Sequence, residues 1–113
     1  MKFNTYEKYN AVIVEIKEDL TADPTGTQFS NIIKENLDAN KKNFIVDLRR
    51  VKYVNSSGIG MLLSGYTSAV NAGGNLMLAD INEKMRGILS ITRLSTVFKL
   101  YDNVDEALNS LNE

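Results

Sequence analysis

The run Phe44-Ile45-Val46-Asp47-Leu48 most tightly constrains what this chain can fold into. It is apolar almost without interruption, the pattern of a strand covered on both of its faces. A second run of the same kind, Leu76 to Ala79, follows a segment with helical spacing. Between the two, Ile59, Leu62, Leu63, Tyr66 and Val70 fall at i, i+3, i+4, i+7 and i+11, one face of a helix. Strands and helices that alternate through short connections imply a mixed, mostly parallel sheet packed by helices.

The flanking segments extend the pattern. Phe3 to Tyr9 and Ala11 to Lys17 read as two strands, with Val12, Val14 and Ile16 on one face. Tyr9-Asn10 suits a tight hairpin in which Asn10 accepts the positive φ. Glu18 to Pro24 reads as a loop, and from Thr25 a helix carries Phe29, Ile32, Ile33 and Leu37 on one side before Asn40-Lys41-Lys42 closes it. Ala72-Gly73-Gly74 ends the second helix, since glycine takes a left-handed conformation without steric cost. Asn82 is placed to cap a third helix with Met85, Ile88 and Leu89. Phe98 to Tyr101 is a final strand, and Asn103 with Glu106 opens a last helix carrying Val104, Ala107, Leu108 and Leu111. The expected fold is α/β in the order ββαβαβαβα, one domain over residues 1–113.

That length suits one compact domain, with roughly two-thirds of the unfolded chain's surface available for burial. The chain has no cysteine, which excludes disulfides, thiolate metal sites and a thiol nucleophile. It has no histidine either, so the commonest general base and the usual nitrogen ligand for zinc are missing. The formal charge of −1 favours neither nucleic acid nor an anionic membrane. Met1-Lys2 leads straight into a strand-like run, with no signal-peptide core, and no apolar run approaches the ~20 residues that span a bilayer. The expectation is a soluble, cytoplasmic domain without cofactor or metal.

The junction between the buried strand and the second helix carries the candidate site. Ser56 and Ser57 stand where that helix begins, so either suits an N-cap. A helix N-terminus offers unpaired N–H groups and the positive end of a dipole, which also makes it a good seat for an added phosphate. Phosphorylation there adds roughly two negative charges without melting the helix. Gly58 and Gly60 leave the backbone bare near the tip. Arg49, Arg50 and Lys52 read as a solvated loop or, functionally, as a basic cluster that orients an acidic partner surface. Asp47 reads as a carboxylate that stabilises the strand end, and Met61, Met77 and Met85 as core filling or helix surface.

The string from Asp47 to Gly60, DLRRVKYVNSSGIG, resembles the signature of the STAS domain family, and in particular that of the bacterial anti-sigma factor antagonists. That signature puts an aspartate at a strand end, then hydrophobic residues, then Asp-Ser-Ser/Thr-Gly opening a helix. Asp47, Val51, Val54, Ser56, Ser57, Gly58 and Gly60 match it at the right spacing. The resemblance implies the same element order over nearly the whole chain and a partner-switching mechanism. In it, the unphosphorylated antagonist binds an anti-sigma factor that is also a serine kinase. Phosphorylation of the motif's first serine, here Ser56 with Ser57 as second choice, weakens the complex, and a serine phosphatase resets it. The implied partner surface is Asn55, Ser56, Ser57 and Gly58, with Asp23 from the preceding loop.

Two departures from the family pattern stand out. Asn55 replaces the aspartate that usually precedes the serine, and Glu18 and Thr21 stand where the loop commonly has a glycine and an aspartate, a place Asp23 is positioned to take. Two alternatives remain open at this stage. One is a STAS component of a stress-signalling complex or lipid-transport system without a phosphate switch. The other is a small nucleotide-binding enzyme domain, suggested by Gly58-Ile59-Gly60 with Asp80 lying 22 residues beyond Gly58. The enzyme reading is opposed by Leu63, which stands where the third glycine of that fingerprint belongs.

Overall fold

The computed structural model describes residues 3–20 and 25–111. Its elements are β1 (Phe3–Lys8), β2 (Ala11–Ile16), α1 (Thr25–Asp38), β3 (Asn43–Asp47), α2 (Ser56–Asn71), β4 (Asn75–Ala79), α3 (Glu83–Ile91), β5 (Lys99–Tyr101) and α4 (Val104–Leu111), with a short 3-10 turn at Leu94–Thr96. The order is the one expected from the sequence. The sheet has five strands in the order β1-β2-β3-β4-β5. β1 runs antiparallel to β2, and β2 through β5 are parallel. Each parallel crossover moves one strand over in the same direction, and α1, α2 and α3 all pack on one face, as crossovers of one common hand require. α4 follows the last strand and covers the other face, against β3, β4 and β5.

This layering explains why the central strands show no polar alternation. Val12, Val14, Phe44, Val46, Leu76 and Leu78 point into the core beneath α1, α2 and α3. Ala11, Ile13, Ile45, Met77 and Ala79 point to the smaller cluster under α4, with Ala107 and Leu108. Met61 and Met85 are both core residues of the three-helix side.

The helix ends follow their local chemistry. At the end of α2 Gly73 takes φ +87, and Gly73 N–H and Gly74 N–H donate to Val70 O and Ala69 O at 2.9 and 2.8 Å, a Schellman closure. At the start of α4 Asn103 Oδ1 accepts from Glu106 N at 2.8 Å, and the Glu106 carboxylate reaches Asp102 N at 3.2 Å. Two details differ from expectation. In the β1–β2 hairpin it is Tyr9, not Asn10, that takes positive φ (56°), since every favoured two-residue turn demands it at the first central position and only type I′ demands it at the second as well. The buried side of α2 is Gly58, Ile59, Met61, Leu62, Gly65 and Ala69. Leu63 and Tyr66 are only half-buried and Val70 is 43% exposed. The helix is wedged between the sheet and α1, and its small residues, which hydropathy spacing overlooks, make the close contact.

Candidate functional site: the head of α2

Between Asp47 and Ser56 the chain makes an extended loop that delivers Asn55 to the head of α2 in β conformation (φ −110, ψ 179). Asn55 Oδ1 accepts a hydrogen bond from Gly58 N at 2.8 Å, so Asn55 is the N-cap, not Ser57 or Ser56. The reason lies in the neighbouring loop. Asn55 N–H donates to Leu20 O at 3.1 Å and Leu20 N–H to Tyr53 O at 3.0 Å, in a parallel bridge between Leu20 and Val54. That bridge holds Asn55 extended, as a cap must be, and Ser56 and Ser57 become the first two helical residues. Both are exposed, and neither hydroxyl bonds to another described residue.

The loop ahead of the cap is gripped from both sides. Asp19 Oδ1 accepts from Lys52 N and Tyr53 N at 3.3 and 3.1 Å. Across the loop, Asn82 Nδ2 donates to Val51 O and Lys52 O at 3.2 and 3.3 Å, while its Oδ1 caps α3 by accepting from Met85 N at 2.8 Å. Sequence reasoning identified Asn82 only as a cap and missed Asp19 altogether. Asn82→Ala removes a cap and two loop bonds, so a loss of about 2 kcal/mol is expected. Asn82→Asp keeps the acceptor and loses the donors, so about half that loss is expected; urea unfolding of both variants checks it.

Gly58 is buried, and its bare Cα is met from within the molecule. A Cβ there would lie 2.2 Å from Leu20 O. Gly60 has no such neighbour. Thr21 and Asp23, the other residues expected from this loop, lie outside the described residues.

On the α4 side of the sheet, Asp47 is the one buried charged residue among those described, at 7% exposure. Its Oδ1 accepts from Arg49 N at 3.1 Å, the strand-end role expected of it. Burial pushes its carboxyl above the usual range against the pull of that amide bond, and Glu15 adds to the rise. The folded state therefore holds this proton more tightly than the unfolded chain does. The contribution of Asp47 to stability is greatest below the ordinary carboxylate range and declines as pH climbs toward the raised value. Asp47→Asn is expected to remove that decline, seen as a flatter dependence of the urea midpoint between about pH 3 and pH 7.

The basic cluster divides in the structure. Arg49 and Arg50 both face Glu15 Oε2 at 3.8 Å. Lys52 is exposed and forms no ion pair with a described residue, and Lys84 Nζ sits 5.2 Å from the centre of the half-exposed Tyr53 ring. Among the described residues no group of three or more His, Cys, Asp or Glu side chains could hold a metal ion, and no helix is long and apolar enough to cross a membrane.

The model of the STAS domain matches residues 2–107. This chain belongs to the STAS domain family. An anti-sigma F factor antagonist of Paenibacillus polymyxa is 27% identical over 70 residues, 62% of this chain and 60% of that protein. The STAS chain thus aligns with about three-fifths of that relative's length. A crystal structure of a provisionally assigned anti-sigma factor antagonist from Thermotoga maritima superposes with a TM-score of 0.90 at 23% identity, covering 98% of this chain and 95% of that one. The anti-sigma factor antagonist SpoIIAA in its unphosphorylated form gives a TM-score of 0.77 at 17% identity, with 97% of each chain covered. At these identities the two structures show that the STAS fold is shared.

Proposed function

We propose that this STAS domain is an anti-sigma factor antagonist that works by partner switching. It would bind an anti-sigma factor with serine kinase activity through Asn55, Ser56 and Ser57, with Gly58 seating the head of α2 against Leu20. Phosphate on Ser56 would turn binding off, and a serine phosphatase would restore it. The domain is then a regulatory binding module and a kinase substrate, not a catalyst. One observation carries the reading. Ser56 is exposed at the first position of α2, next to a loop gripped from both sides; the cap is made by Asn55, and the Ser56 hydroxyl bonds to no described residue. The neighbour SpoIIAA, known in both unphosphorylated and phosphorylated forms, supports it by analogy of fold.

Asn55 fits this role despite replacing the usual aspartate. The cap needs only an acceptor oxygen, which the amide supplies, and the neutral side chain puts no charge beside an incoming phosphate. The test is phosphate incorporation from labelled ATP by the cognate kinase, with peptide mapping. Label on Ser56 that disappears in Ser56→Ala supports the reading. Undiminished label in Ser56→Ala, or none in the wild type, rejects it and leaves a STAS component without a phosphate switch.

A further inference from the structure

Where β4 and β5 end, the chain turns to opposite faces of the sheet. The loop after β4 leads to α3 on the three-helix side, and the loop after β5 leads to α4 on the other. Open parallel sheets place ligands in the crevice that such a divergence leaves outside the carboxyl ends of the strands. Here that crevice is a mainly polar cleft of about 240 Å³. Asp47 lines it from the end of β3, Asp80 from the end of β4, and Asn103 and Asp105 from the start of α4. Tyr6 and Lys8 of β1 and the side of Arg49 complete the wall. The volume suits a small head group, since sites for drug-sized ligands start at roughly 300 Å³.

Both cations of this wall face a carboxylate, and two of its carboxylates face no cation. Lys8 Nζ lies 3.8 Å from Asp105 Oδ1, and Arg49 Nη2 lies 3.8 Å from Glu15 Oε2. Asp80 is half-buried and makes no hydrogen bond or ion pair with a described residue. Asp47, only 7% exposed, gives one oxygen to Arg49 N, and its other oxygen bonds to no described residue. Among the described residues no fully buried side-chain oxygen lacks a partner, so this free oxygen opens into the cleft. The Tyr6 hydroxyl, on a side chain 42% exposed, is likewise without a described partner. These groups form no metal-ligand cluster, but together they offer three acceptors, the number that an alkylammonium group donates to. We propose that the cleft binds a small free primary amine in its protonated form. Its N–H groups go to the free oxygen of Asp47, to Asp80 and to the Tyr6 hydroxyl. The proposal is independent of the reading of Ser56, and its test needs the protein alone.

The experiment follows the side-chain carboxyl carbons of Asp47 and Asp80 by NMR in the intact protein, at neutral pH and constant ionic strength. The protein is titrated with propylammonium, tetramethylammonium and propanol. Tetramethylammonium carries the charge without a donor, and propanol a donor without the charge. Saturable shifts at both carboxyls with propylammonium, at least about tenfold weaker with the other two, are the expected result. Saturating propylammonium should also lower the pH at which Asp47 titrates, because an adjacent cation favours the ionised form. Asp80→Asn should cost about tenfold in affinity. Asparagine tolerates the left-handed backbone of this position, at φ 62, so the substitution leaves the turn in place. The proposal is overturned by the absence of saturable shifts in the wild type, by equal binding of propylammonium and tetramethylammonium, by an unmoved Asp47 titration, or by undiminished affinity in Asp80→Asn. Because the wild-type comparison decides by itself, a variant that fails to fold leaves the test intact.

Discussion

Ser56→Asp is expected to move two measurements in opposite directions. The first turn of α2 contains no acidic residue, so a carboxylate at its first position meets the positive end of the helix dipole without a like-charged neighbour in that turn. The fold should gain about 0.3–1 kcal/mol, a rise of a few degrees at most in melting temperature. On the proposed partner switch, binding to the anti-sigma kinase should fall by on the order of 100-fold or more, because a new charge would enter the proposed contact at Ser56. Thermal denaturation and calorimetric titration of the same preparation read the two effects. A misfolded variant would lose both together, so the opposed signs separate interference at the interface from damage to the fold. Wild-type affinity in Ser56→Asp would show that this serine lies outside the contact.

The two glycines of the motif should also respond with opposite signs. In Gly58→Ala the new Cβ would sit 2.2 Å from Leu20 O and 2.7 Å from Leu20 C. That oxygen is also the one accepting from Asn55 N–H, so relief of the clash breaks the bridge or lifts the head of α2. Overpacking together with a lost hydrogen bond gives a destabilisation of about 3 kcal/mol and a melting temperature lower by roughly 10 °C or more. Gly60→Ala meets nothing within 4 Å and removes a flexible residue from a helix interior. It should gain about 0.5–1 kcal/mol. Paired thermal melts decide it, and a harmless Gly58→Ala would mean that the contact with Leu20 is not a fixed part of the fold.

Much of this architecture was legible in the sequence because its determinants are local. Apolar runs such as Phe44–Leu48 mark buried strands, and Gly73, Asn82 and Asn103 mark helix ends through bonds to residues at most five positions away. What could not be read depends on partners distant in the chain. Asp19 grips Lys52 and Tyr53 from 33 and 34 positions away, and Asn82 reaches Val51 from 31. Neither of these long-range contacts leaves a local signal in the sequence. The cap of α2 was misplaced for the same reason: choosing Asn55 over Ser57 requires knowing that Leu20 pins Asn55 in an extended conformation. The family likeness supplied the serine pair and its spacing, while the geometry that holds the pair comes from loops on either side.

The sheet order has a consequence for how the domain is made. Every strand pairs only with its neighbours in sequence, so the sheet can grow from β1 to β5 in the order in which a ribosome releases it. The head of α2 matures on a different schedule. Its inner grip, from Asp19 and Leu20, is available as soon as residues 52–55 emerge, but its outer grip waits for Asn82, a further β-strand downstream. A nascent chain that has just completed α2 therefore carries Ser56 on a loop held from one side only. The head of α2 reaches its finished form late in synthesis, when the start of α3 locks it.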